Sequence, residues 1–120
     1  MFYSYLCVQD KINTTIMVAE FNIENFFSIK SVQKISFEPS SDSFMSDEYL
    51  YEVKDGVKLL KVGIIYGANA SGKSNVLNAF WFMVNYVLTS HNQQIHKAID
   101  RSPFKFDPET PTRPSSFEVI

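Results

Sequence analysis

An α/β fold, with a mixed β-sheet whose N-terminal strands are antiparallel and pack on one long helix, is predicted by three stretches of this 120-residue chain. Met17, Ala19, Phe21 and Ile23 alternate with Val18, Glu20, Asn22 and Glu24, the period-two pattern of a half-buried strand. Leu59 to Tyr66 is a nearly continuous apolar and β-branched run broken by Lys61, which suits a strand buried on both faces. Val76, Leu77, Phe80, Met83, Val84, Val87 and Leu88 recur at helical spacing and make one apolar stripe over about three turns.

In chain order, residues 1–16 read as an N-terminal extension and residues 17–120 as one partial domain. Within the extension, Phe2, Tyr3, Tyr5, Leu6 and Val8 suit either an added strand or a poorly ordered lead-in. After the first strand, "NFFSIK" (Asn25 to Lys30) is a connection. Ile35 and Phe37, alternating with Lys34, Ser36 and Glu38, predict a second strand, and Pro39 stops it because proline cannot donate to a ladder. The acidic, serine-rich "EPSSDSFMSDE" is expected to be an exposed loop. In "YLYEVKDGVKLLKV", Asp55-Gly56 supplies the positive φ angles of a tight hairpin turn.

Thr89, Ser90, His91 and Asn92 end the helix, with Trp81 and Phe82 expected to pack in the core beside its stripe. Pro103, Pro108, Pro111 and Pro114 then divide the chain into short extended pieces and turns. "SFEVI" resumes a strand pattern and stops without a partner to follow, which predicts the N-terminal piece of something longer.

The hydrophobic fraction of 45% is that of a folded domain, which excludes disorder as the overall state. A net charge of -2 advertises neither a nucleic-acid nor a membrane surface. Cys7, the single cysteine, has no disulfide partner and there is no zinc-ligand spacing, so a reducing, cytoplasmic setting is the simpler reading. His91 and His96 lie in a polar stretch without co-ligands and read as solvated. The first residues lack a basic, then apolar, signal pattern, and no apolar run is long enough to span a bilayer.

Between the apolar run and the helix lies Gly67-Ala-Asn-Ala-Ser-Gly72-Lys73-Ser74, which fits G-x-x-x-x-G-K-[ST]. A phosphate chain needs many donors at close range with no bulky side chain in the way. Consecutive N–H groups of such a loop, followed by the positive end of a helix dipole, provide them. Gly67 allows the tight exit from the strand, and Gly72 allows the backbone to approach phosphate where a Cβ would collide. Lys73 is the candidate catalytic cation for the β- and γ-phosphates, and the Ser74 hydroxyl the candidate Mg²⁺ ligand. Ala70 and Ser71 act through their N–H groups, while Asn69 can use its amide on a phosphate or a neighbouring loop.

"FNIENFFSIK" followed by "IIYGANASGKSNVLNAF" resembles the N-terminal lobe of ABC-type ATPase heads of the SMC, RecF and OLD group. The likeness is strongest to AAA-family ATP-binding proteins of bacterial abortive-infection and phage-defence systems. It is carried by Asn25-Phe26-Phe27-Ser28, by Gly72 to Asn75, and by Leu77 and Ala79; "PFKFDPETPTRPSSFEV" is similar too, so it extends over Met17 to Ile120. The resemblance implies a P-loop NTPase lobe that binds ATP and Mg²⁺ through a Walker A loop, Asn75 included, and that works as a homodimer of heads sandwiching ATP. It implies in-line attack of water on the γ-phosphate once Walker B and signature elements complete the site.

Those elements are not found in the 120 residues: "KAIDRS" is too polar for a Walker B strand, and Gln93 and Gln94 precede the place of a Q-loop. Relatives often carry a basic residue where this chain has Phe27, and Lys30 is the candidate substitute. ATP over GTP rests on the resemblance alone, and nucleic acid as a partner is left open. Two alternatives stand beside an ATPase lobe: a nucleotide-binding assembly module without turnover, and a P-loop small-molecule kinase. The antiparallel region ahead of the loop weighs against the kinase.

Overall fold

The computed structural model describes residues 17–41, 46–54, 56–92 and 98–120. The expected N-terminal extension, residues 1–16, lies outside them, as do Cys7, Asp55, His96, Gln93 and Gln94. The first strand, β1 (Glu20–Glu24), buries Phe21 and Ile23 on one face, as its alternation predicts. It is the centre of a three-stranded antiparallel sheet, with β2 (Gln33–Ser36) on one side and β5 (Ser116–Val119) on the other. The terminal "SFEVI" is thus a paired strand, in register Phe21 to Val119 and Ile23 to Phe117.

The stretch predicted as an exposed loop instead contains one helical turn, α1 (Ser46–Tyr49), with its central residues outside the description. β3 (Leu50–Lys54) and β4 (Val57–Leu60) form the predicted hairpin, where Gly56 takes a φ of 81°. The Leu60 N–H donates to the Phe37 carbonyl at 2.8 Å, tying the hairpin to the end of β2.

The doubly buried strand expected over Leu59 to Tyr66 is not formed. β4 stops at Leu60, and residues 62–67 are irregular and exposed, Ile64 by 83% and Tyr66 by 90%. The reason is topological. A strand buried on both faces needs ladder partners and covering layers, and among the described residues no strand runs beside this segment. Every strand pairing among them is antiparallel, so the parallel component of the expected mixed sheet is not seen there.

The long helix, α2 (Lys73–Thr89), starts and ends where the sequence predicts, with a short 3₁₀ turn (Ser90–Asn92) after it. It lies on the three-stranded sheet and buries Ala79 completely, while Val76, Phe80, Phe82 and Met83 pack on Phe21, Ile23, Phe26 and Ile29. Aromatic rings join the layers: Phe21 meets Phe80 edge-on at 4.9 Å, and Phe26 meets Phe82 at 5.2 Å. The predicted stripe is only partly the buried face. Leu77, Val87 and Leu88 are exposed, and so is Trp81, at 68%, against its expected core role. The helix is apolar on more than one side and this small sheet covers just one.

Candidate nucleotide-binding site

The Gly67–Ser74 stretch passes from the irregular segment into the first turn of α2, so the helix the pattern requires after it is present and the strand before it is not. Gly72 is the N-cap with a φ of 91°, and no side chain caps the helix. Its first turn therefore presents backbone N–H groups to whatever lies in front of it, which suits an anion. Ala70 also has a positive φ, 63°, so that the loop reverses direction just before the helix.

Lys73 turns back over this loop. Its ammonium donates to the carbonyls of Gly67 at 2.9 Å and Ala68 at 2.6 Å, and to Ser71 Oγ at 3.4 Å. The positive charge is thereby held on the loop itself. Asn69 and Ser74 are exposed beside it, and the Ser74 hydroxyl is accessible to a metal ion carried by a ligand. Among the described residues no group of three or more His, Cys, Asp and Glu side chains stands ready to hold a metal.

The Asn75 amide donates to Ser28 Oγ at 2.7 Å. Ser28 belongs to the Asn25–Lys30 connection, and its hydroxyl stands 3.3 Å from where a Cβ on Gly72 would be. A side chain at Gly72 would press on this neighbour, which would have to give by a few tenths of an ångström, as well as strain the backbone. The connection is itself a tight turn closed by reciprocal N–H to carbonyl bonds of 2.9 Å between Phe26 and Ile29. Asn25 and Phe27 both take left-handed φ angles in it, 52° and 48°. Asparagine tolerates that region, whereas a bulky phenylalanine there is an outlier.

Lys30, the candidate substitute for a basic residue at position 27, has a carboxylate partner in the proline-rich segment. Its ammonium is ion-paired with Asp107 at 2.6 Å, and that pairing, with the Glu109 N–H, holds the Asp107 carboxyl below its ordinary range. His91 is exposed in the 3₁₀ turn, as its solvated reading expects. Sequence reasoning missed how Ser28 braces the start of α2 and how Asn25 holds the turn that carries it, because neither lies on a periodic element; the N-F-x-S spacing was the available signal.

Residues 64–120, just under half of the chain, match the family model described as "AAA domain, putative AbiEii toxin, Type IV TA system". No curated protein and no solved structure matches the chain. Among the described residues no helix is long and apolar enough to cross a membrane. The matched half, which holds the loop, α2, the proline-rich segment and β5, is thus similar to an AAA, P-loop ATPase-like family, and this supports nucleotide binding of the ATPase kind.

Proposed function

We propose that this chain binds Mg²⁺-ATP through a Walker A loop, Gly67 to Ser74, and that it is the N-terminal lobe of an ABC-type ATPase head. The observation that carries the reading is the conjunction at the start of α2: an uncapped N-terminus behind a left-handed Gly72, with the Lys73 ammonium curled over the loop. Backbone N–H groups of Asn69 to Ser74 would surround the phosphates, Lys73 would neutralise the terminal ones, and Ser74 Oγ would ligate the metal. Asn75 is assigned a bracing part, through Ser28, rather than direct phosphate contact.

Bound ATP supplies the phosphoanhydride whose cleavage drives such heads. Turnover is assigned to a homodimer of heads that also carries Walker B and signature elements, as the resemblance to the SMC, RecF and OLD group implies. A cytoplasmic role in phage defence is assigned on the same resemblance to abortive-infection ATPases. Calorimetric titration of the chain with Mg²⁺-ATP tests the phosphate site, with Lys73→Ala as the comparison. Binding lost in the variant supports the reading; equal binding by both overturns it.

A further inference from the structure

The turn of residues 25–30 holds two parts of the molecule at once. Through Ser28 it holds the start of α2: the hydroxyl accepts from the Asn75 amide at 2.7 Å and stands 3.3 Å from where a Cβ on Gly72 would be. Through Asn25, Phe27 and Lys30 it holds residues 101–115. Asn25 bonds the Thr110, Arg113 and Pro114 carbonyls and the Phe104 N–H, the Phe27 N–H donates to the Ser102 carbonyl at 2.7 Å, and Lys30 pairs with Asp107 at 2.6 Å. We propose that this turn is a coupling device: nucleotide phosphates held at the start of α2 order the loop of residues 101–115, and the ordered loop tightens nucleotide binding. The proposal rests on the phosphate reading above.

The linkage has little slack. Phe26 and Ile29 close the turn by reciprocal bonds of 2.9 Å, so Ser28 does not shift alone. The Asn75 N–H donates to the Gly72 carbonyl at 2.9 Å, so the residue that touches Ser28 belongs to the same first helical turn whose free N–H groups would meet the phosphates.

The loop is the part that a small bias would order. Residues 101–115 contain no helix or strand, and bonds such as Thr110 Oγ1 to the Phe104 carbonyl, 2.6 Å, fold the loop on itself. Segments of this kind open locally at low cost in free energy. The turn between them is strained as well, since Phe27 takes a φ of 48° that its side chain disfavours. Strain of this sort narrows the gap to a second arrangement, as a switch requires. A ligand that fixes the first turn of α2 fixes Ser28 through Asn75, and the loop then has less freedom left to lose, so the coupling is positive.

Hydrogen exchange over residues 101–115, with calorimetry on the same samples, tests the device. Saturating Mg²⁺-ATP is expected to slow exchange there about fivefold or more in the native chain. The β3–β4 hairpin is the internal control, and slowing of equal size in it would be general stabilisation and overturns the coupling. Ser28→Ala, at an exposed position, removes the acceptor of Asn75 and should abolish the added protection. Coupling of affinities is reciprocal. Thr110→Val, which deletes the hydroxyl's bonds to the Phe104 and Asp107 carbonyls, should therefore weaken Mg²⁺-ATP binding in the native turn and not in Ser28→Ala. ATP bound without added protection in the native chain, protection that survives in Ser28→Ala, or an equal effect of Thr110→Val in both backgrounds overturns the coupling and leaves the phosphate loop standing. Failure of the native chain to bind ATP overturns the phosphate reading and the coupling with it.

Discussion

Asn25 and Thr110 stand 85 residues apart in the chain and are joined by a buried hydrogen bond of 2.8 Å from Asn25 Nδ2 to the Thr110 carbonyl. The same amide donates to the carbonyls of Arg113 and Pro114, and Asn25 Oδ1 accepts the Phe104 N–H at 3.0 Å. Ser115 Oγ donates to the Asn25 carbonyl at 2.6 Å. A proline-rich segment with no regular structure of its own is thus pinned to the turn that braces the phosphate loop. Asn25 and Thr110 are both buried, so these two depend on the knot for their partners.

Asn25→Asp is the most direct test of the knot. Aspartate tolerates the left-handed backbone as asparagine does, so the substitution isolates the amide's donors. A carboxylate cannot donate, and it would face the three carbonyls that Asn25 Nδ2 now satisfies. The expected loss is about 3 kcal/mol or more, since buried acceptors are left unpaired around a desolvated charge. Urea denaturation should show the midpoint falling at an unchanged slope.

The knot also marks where the sequence was legible. β1 could be read because one face of a strand meets the core, and Phe21 and Ile23 alternate accordingly. The limits of α2 were legible from Gly72 and from the polar run after Leu88. Burial along α2 was not, since Leu77 and Val87 have the same apolar character as Val76 and Phe80. Only the width of the sheet decides which of them are covered. The apolar run to Tyr66 misled for the same reason: strand propensity is a local property and a ladder partner is not. Within the candidate site the loop itself was plain from its spacing. The brace from Ser28 to Asn75, 47 residues apart, was not, because it depends on tertiary placement.

Gly72→Val separates the loop from the scaffold. Valine at a φ of 91° costs about 1 to 3 kcal/mol in backbone strain. Its Cβ would also crowd Ser28 Oγ, which a Cβ already meets at 3.3 Å. The core contacts of α2 begin at Val76 and Ala79, beyond the damaged turn. Circular dichroism should therefore retain the helical signal while Mg²⁺-ATP binding is lost. Wholesale unfolding would show that the loop and the core are one cooperative unit.

Asp107 predicts a pH dependence of stability. Its carboxyl is held below the ordinary range, first by the Lys30 ammonium and then by the Glu109 N–H at 2.9 Å. A depressed acid stabilises the fold above its unfolded value and loses that contribution as pH falls through the folded one. The thermal midpoint of Asp107→Asn should thus lie below that of the native chain at about pH 7, and the gap should close below the ordinary aspartate value of about 3.9. A gap of equal size at both ends of the range would assign the effect to packing rather than charge.

Lys73 separates binding from stability. In the structure its three contacts are with the loop itself, and they are solvent-exposed, so they contribute little to global stability. A bound phosphate would replace these weak partners by charged oxygens, each worth about 1.5 to 3 kcal/mol as a charge-assisted hydrogen bond. Lys73→Ala should accordingly weaken Mg²⁺-ATP binding at least tenfold while moving the denaturation midpoint very little. Lys73→Arg should rescue poorly, because a planar guanidinium cannot curl over the Gly67 and Ala68 carbonyls as a compact ammonium does. Calorimetry and denaturation on the same three proteins check both halves. Affinity that follows charge alone, with arginine equal to lysine, would mean that the loop attracts phosphate as an electrostatic patch and not as a fitted cradle.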